Sequence, residues 1–426
     1  MIPRKGYKAN ITSNLVNQIL HLIIGAATSI IASRVLGPQG MGYVAYAILI
    51  FTILGNFGHF GLNNAVIYYK KRKKVNPTHL YNVNVTLLIL FAVAISSVLL
   101  VLRSNRWFLS DYNYLYILGG IIYIFSNLLF THYRSWFVAD ELIRESNRFI
   151  ITAFFIKSAI IILLWLTRTL NPLTYFYASV LGMLINAIFL GTHTGEGFRP
   201  EIDLALLKAE YSYGGIIFLA ACCDYLHLRV DQLMIKQMLG TSFLGVYSIA
   251  VTLAELMFLL PASINTALLG KLYNTDEKQK FRQVMAQTYK LTFWICCLLA
   301  LIGIPLSLLI PFFYGKAFAG AIISTQILLI GTIFSSCAQV SMQYFFSTGK
   351  PQIHLLTTSC SLLINIALNL WLIPIKGITG AAIASCISYF IYGLFYLIVF
   401  IKKEEFSLHE LLSISLSDLK LLWSSK

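Results

Sequence analysis

Asp224, His227 and Asp231 stand at positions i, i+3 and i+7 of a stretch that is otherwise mostly apolar. At about 100° per residue a helix carries all three on one face. Two carboxyls and an imidazole placed so could take up protons, hold a small cation, or simply knit a packing network. Arg229 lies roughly 140° around the same helix from Asp224, close enough to flank that face or to pair with a neighbouring helix. Glu255 stands in the next apolar stretch, where it could handle an ion or pair with Arg229 or Arg134. Arg34, Arg134 and Lys157 are further cations in or at the edge of apolar stretches, and arginine suits bidentate contact with oxyanions. Asn56, His59 and Asn63 repeat the i, i+3, i+7 spacing amid Gly55, Gly58 and Gly61. That pattern gives a helix one hydrogen-bonding face, with glycines that permit close packing and bending.

The elements that must position these groups are membrane helices. Charged residues are 12% of the chain, against about a quarter in soluble domains. With 58% hydrophobic residues and a mean hydropathy of +0.75, the apolar surface exceeds what 426 residues can bury among themselves. A bilayer supplies the missing environment, and roughly 20 mostly apolar residues cross its ~30 Å core as a helix. Such stretches recur at 11–33, 43–69, 80–102, 115–137, 149–167, 173–191, 213–236, 246–270, 289–311, 320–346, 353–373 and 380–401. The expected fold is therefore all-α and integral to the membrane, with about twelve transmembrane helices. Polar side chains inside such helices are costly, so each one above is a candidate for function.

The net charge of +15 does not indicate nucleic acid, because the basic residues are dispersed in short bursts between apolar spans. With the N-terminus inside, 22 lysines and arginines fall in cytoplasmic segments, 7 in outer segments, and Arg134, Lys157 and Arg229 within the membrane. That asymmetry places both termini in the cytoplasm. The cluster Lys70–Lys74 reads as a topology determinant that could also attract anionic lipid. The seven cysteines all lie inside spans and lack metal-ligand spacing, so they read as small buried residues. The first span lacks a small-residue cleavage site and reads as a retained helix. Pro261, Pro305 and Pro311 are expected to bend spans eight and nine.

Two segments do not read as spans. In 192–210, Asp203 is placed to cap a short helix carrying Leu204 and Leu207 along the inner surface. In 403–426, Ser407 and Glu410 form an S-x-x-E capping box ahead of Leu408, Leu411, Leu412, Leu419, Leu422 and Trp423. The latter reads as a cytoplasmic amphipathic helix.

The turn after span one reads L-G-P-Q-G-M-G from Leu36, and the turn after span seven reads L-G-T-S-F-L-G from Leu239, 203 positions later. Both are L-G-x4-G at the same point of a six-helix set. The chain thus divides into 1–200 and 201–402, two six-helix bundles of like orientation, followed by the tail 403–426. Their pseudo-twofold axis should run along the membrane normal, with a cleft between the halves. The same offset places His21 of span one opposite Asp224, at matched depth some ten residues or ~15 Å into its helix. His21, Asp224 and His227 could then form a proton-sensing cluster.

From Arg34 the chain reads R-V-L-G-P-Q-G-M-G, and from Phe57 it reads F-G-H-F-G-L-N-N-A. Asp203 to Gly214, Arg229 to Ile235, Tyr314-Gly315 and Gly377 to Ser385 follow in order. This succession resembles the Wzx-type polysaccharide and O-antigen flippases of the multidrug/oligosaccharidyl-lipid/polysaccharide exporter superfamily. The resemblance implies two six-helix bundles that move an undecaprenyl-pyrophosphate-linked oligosaccharide from inner to outer leaflet by alternating access. It implies the bacterial cytoplasmic membrane, no cofactor, a glycan polymerase as a potential partner, and H+ or Na+ as potential coupling ions.

On that reading Arg34, which matches the family's arginine at the end of span one, Arg134, Lys157 and Arg229 would meet the pyrophosphate. Asn56, His59 and Asn63 would meet sugar hydroxyls. Asp224, His227, Asp231, Glu255 and His21 would couple an ion. Outward movement of one negative charge across an inside-negative membrane yields ~2.3 kcal/mol per 100 mV, so an anionic head leaves with the field. A multidrug antiporter of the same superfamily would favour an acidic, aromatic cleft, whereas the membrane charges here are mixed. A membrane glycan polymerase or ligase would carry a large outer loop, and the longest here is roughly 103–114.

Overall fold

The computed structural model describes residues 7–71, 73–259, 278–347, 351–403 and 406–413. Among these the regular elements are all helical. Nine helices are long and apolar enough to cross a bilayer, and Leu204–Ser212 with Gly214–His227, bent by 56°, make a tenth as one broken span. Two of the nine are too long to be single crossings. Tyr7–Phe57 has 51 residues and Pro351–Lys403 has 53, about 75–80 Å each at 1.5 Å per residue. Each contains one glycine with non-helical dihedrals, Gly37 and Gly377, where two helices meet. Divided there, the described helices supply twelve crossing segments, as the hydropathy pattern requires. Pro261 and residues 260–277 lie outside the described residues.

The repeat is written into the backbone. Gly37 has φ 63° and ψ −179°, and Gly240, 203 positions on, has φ 98° and ψ 179°. Positive φ with ψ near 180° is open essentially to glycine alone, which explains why the L-G pair marks both turns. Gly315 and Gly377 likewise take positive φ, at the turns after spans nine and eleven.

By contacts the chain falls into two compact units, 1–222 and 223–426. The division lies inside span seven, whereas the repeat puts the junction at 200. The first stretch of that span packs on earlier helices: Gly214 meets Gly61 backbone to backbone, and Glu210 hydrogen-bonds Asn84. The helix expected after Asp203 begins at Leu204, with Asp203 Oδ1 accepting from the Ala205 and Leu206 amides. It continues through the bend into the rest of span seven.

In the first unit the turns cluster at two ends. At one, Tyr43 and Tyr112 stack with centroids 4.0 Å apart, and the Tyr112 hydroxyl donates to the Tyr43 carbonyl. At the other, Lys70 and Lys71 both reach Asp140, at 2.6 and 3.1 Å, and Lys70 sits over the Trp136 ring. Part of the lysine cluster thus ties the turn after span two to the turn after span four.

In the second unit the start of the tail docks on span nine. The Ser407–Glu410 capping box forms. Leu411 is buried with Met285 and Tyr289, Arg282 pairs with Glu410, and Trp294 Nε1 donates to the Leu412 carbonyl at 2.7 Å. Pro305 closes the span-nine helix Lys278–Leu306, and Pro311 opens the short helix Ile310–Tyr314. Leu419, Leu422 and Trp423 lie outside the described residues.

The Ser407 amide and the Arg282 guanidinium hold the Glu410 carboxyl below its usual 4.5. A depressed carboxyl stabilises docking above its unfolded value and loses that contribution as pH falls through the folded one. Trp294 fluorescence, read with the other five tryptophans replaced by Phe, should hold steady from pH 8 to 5. It should change only in stronger acid, and a transition near neutrality would refute this linkage.

Candidate functional site

The polar face of span seven is matched rung by rung by span twelve. Asp231 Oδ2 accepts from Ser385 Oγ at 2.9 Å and from the Tyr247 hydroxyl at 2.6 Å, while Oδ1 accepts from the Gln232 amide. His227 Nε2 shares a hydrogen bond with Ser388 Oγ at 3.1 Å. Asp224 Oδ1 accepts from Tyr392 at 3.3 Å and from Thr358 at 2.7 Å. The rungs pair 231 with 385, 227 with 388 and 224 with 392, so i, i+3, i+7 on one helix meets i, i+3, i+7 on its antiparallel neighbour. Span seven is not one continuous helix here: Leu204–His227 ends, and Val230–Met238 begins after Arg229. The three residues nonetheless face one partner.

Span eleven completes the network. His354 Nε2 lies 2.9 Å from Asp224 Oδ2, and its Nδ1 is 2.7 Å from the Tyr396 hydroxyl. Asn365 Nδ2 donates to the His227 carbonyl. At the break, Arg229 forms a two-pronged pair with Glu255, with Nη2–Oε2 at 3.0 Å and a closer Nη1–Oε1 contact. Of the two arginines weighed for Glu255, the partner is Arg229.

In the first unit, the single face expected for Asn56, His59 and Asn63 is interrupted. The helix that starts after Gly37 ends at Phe57, a turn occupies 58–61, and helix Leu62–Lys71 follows. Phe60 and Gly61 both have positive φ and the helix is released there, while Gly55, Gly58 and Gly61 still pack closely, against Asn127, Ile95 and Gly214. Asn56 Oδ1 accepts from Asn127 Nδ2 at 3.0 Å. His59 Nδ1 accepts from the Gly61 amide, and its ring meets Phe218. Asn63 is buried, with no partner for Oδ1 among the described residues.

Lys157 lines a cavity of about 160 Å³ within the first unit, together with Tyr123, Ser179, Gly182 and Asn186. Gly182 is the close neighbour of its stem: a Cβ there would stand 3.1 Å from Lys157 Cβ. Asn186 Oδ1 is buried without a partner, and no described carboxylate pairs with Lys157. Arg34 and Arg134 are exposed, the first in the turn before Gly37 and the second late in helix Tyr114–Ala139. The side chain of His21 lies outside the described residues. No cluster of three His, Cys, Asp or Glu fit for a metal occurs among the described residues, and the seven cysteines form no disulfide with one another.

Sequence reasoning missed the partners. His354, Thr358, Ser361, Asn365 and Asn369 form a buried stripe along span eleven, and Ser385, Ser388, Tyr392 and Tyr396 form one along span twelve. Both follow helical spacing, and that spacing of polar residues inside apolar spans was the available signal. Glu210, buried beside Asn84, was missed because it was read as part of a loop.

Residues 31–323, more than half of the chain, match the family described as polysaccharide biosynthesis protein. The chain belongs to this family. A Shigella flexneri protein assigned as an O-antigen transporter is 23% identical over 217 residues, covering 49% of this chain and 50% of that one. The chain thus spans about half the length of that relative. An inward-facing multidrug-resistance transporter of the MATE family, in the MOP superfamily, superposes with a TM-score of 0.65 at 13% identity, over 98% of this chain and 100% of the other. The lipid II flippase MurJ, in an inward closed conformation, gives 0.66 at 13%, over 97% and 91%. The polysaccharide biosynthesis protein family therefore has here the all-helical fold of the MOP exporters, as the sequence resemblance implied.

Proposed function

We propose that this protein is a flippase that carries an undecaprenyl-pyrophosphate-linked oligosaccharide from the inner to the outer leaflet by alternating access. Its membrane is the bacterial cytoplasmic one with both termini inside, in line with the lysine and arginine asymmetry. The observation that carries the reading is Lys157. A lysine inside an apolar span, at a cavity with an unpartnered amide oxygen and, among the described residues, no carboxylate counterpart, suits an anionic or hydroxyl-rich ligand. A drug-cation site would place a carboxylate there. Arg34 and Arg134 extend the cationic character, Asn56, His59 and Asn63 are offered to the sugars, and the span-seven groups with His21 remain the candidates for coupling an ion.

The test is complementation of cells that lack their own polysaccharide flippase, with surface glycan as the readout. Wild type should restore surface glycan with a cognate repeat unit. Lys157→Ala should cut export about tenfold, the factor for 1.4 kcal/mol of lost binding, and Lys157→Arg should retain most of it. Drug resistance without glycan export, across several repeat-unit pathways, would sink the reading.

A further inference from the structure

Glu210 is fully buried in the first stretch of span seven, seven residues or ~10 Å along the helix from the Asp203 cap. Its Oε1 accepts from Asn84 Nδ2 at 3.1 Å. Among the described residues its Oε2 has no partner, and neither has Oδ1 of the equally buried Asn84. No described cation stands within ion-pair distance. On its own helix, Tyr211 is the adjacent titratable group, its hydroxyl buried and unpartnered, while Lys208 is exposed. On span three, His79 is engaged by Glu201 and Asp203. On span two, Lys70 is engaged by Asp140, and His59, in the turn 58–61, by the Gly61 amide. On span four, His132 is buried, with neither ring nitrogen partnered.

A carboxylate taken out of water with one neutral hydrogen bond and no counterion is far too costly to persist, and such a group neutralises instead. Two neutralising ligands are available, a proton and a metal cation. A hard monovalent or divalent cation needs about six oxygens, whereas the atoms without partners at this pair are Oε2 and Oδ1. A proton accounts for both at once. On Oε2 it turns an orphan acceptor into a donor, and the primary amide then offers Oδ1 as acceptor while its NH2 already serves Oε1. An acid and an amide paired in this way leave neither of those atoms unsatisfied.

We propose that Glu210 and Asn84 form a proton-binding site in the first unit, with Glu210 carried as the neutral acid in this conformation. The span-two break supplies a reason for that proton to move. Gly61, in the turn 58–61, rests against Gly214, one helical turn beyond Glu210. Any parting of spans two and three from span seven would admit water to the pair and favour release. The proton's presence does not depend on the flippase reading; its coupling to transport does.

Infrared spectroscopy of the protein in lipid at neutral pH tests the site. Wild type should show a carboxylic-acid carbonyl band that shifts in heavy water and is absent from Glu210→Gln, the neutral isostere. Asn84→Leu should move the band to higher frequency without abolishing it, because the acid loses its amide donor. A band unchanged in Glu210→Gln overturns the site, as does one that appears only when sodium is replaced by a large organic cation. Coupling is read separately: Glu210→Gln should slow glycan export at least tenfold and flatten its pH dependence. A wild-type pH profile in that variant removes the coupling and leaves the infrared result to decide the site.

Discussion

Glu255→Ala should destabilise the protein by about 3 kcal/mol or more, because it strands Arg229 inside the second unit. The two side chains are less than a third exposed, at 23% and 29%, and meet in a two-pronged contact at the break in span seven. Removing one member of a buried pair typically costs about 3–5 kcal/mol, most of it the desolvation of the charge left behind. The Tyr225 ring, 5.9 Å from the guanidinium centre, does not substitute for a carboxylate. The measurement is the apparent unfolding temperature in detergent for Glu255→Ala, Arg229→Met and the double variant. A double-mutant cycle isolates the pair, and the double variant should recover most of the loss because no lone charge remains. A double variant as unstable as the sum of the singles would mean that the two groups act independently. The same cycle bears on coupling: a stability change without loss of glycan export marks the pair as structural support for the break.

That pair illustrates what could be read from the sequence. Arg229 and Glu255 were visible as costly groups inside spans, since a charge in an apolar run stands out by type alone. Their pairing was one of two alternatives, because helix order does not reveal which faces meet. Asp224, His227 and Asp231 were legible as a face, whereas Ser385 and Ser388 were not, since an isolated serine in a membrane helix usually bonds its own backbone. Gly37 and Gly240 were legible as a repeat because only glycine takes their dihedrals, so the constraint on the backbone fixes the residue.

The turn at 58–61 hid behind the same residue type. Glycine serves both close packing and helix release, and the choice is made by tertiary contacts such as Gly61 on Gly214. Glu210 escaped notice for a related reason: the polar stretch before span seven reads as a loop until the helix bends and buries it.

Gly380→Ala should be the most damaging of the small substitutions, since it acts on the hairpin that seats the polar rungs. Span eleven reverses into span twelve at Gly377, and three residues later Gly380 lies on the preceding helix. A Cβ at 380 would stand 2.1 Å from the Leu372 carbonyl oxygen and 2.6 Å from its carbon. The opposing atoms are backbone, so no rotamer change relieves the clash, and the two helices must part. Overpacking a core costs about 1–3 kcal/mol where side chains can yield, and a rigid backbone neighbour puts this site at or above the upper figure. The displacement also reaches function, because Ser385 begins the rungs to Asp231, His227 and Asp224 less than two turns further on. Gly215→Ala is the matched control: nothing lies within 4 Å of its Cβ, and alanine in a helix gains about 0.8–1.0 kcal/mol over glycine. Unfolding temperature and surface-glycan export, measured for both variants, should fall together for Gly380→Ala and hold or rise for Gly215→Ala. Wild-type stability in Gly380→Ala would show that the hairpin can open without disturbing the rungs, and would detach the polar network from the turn that positions it.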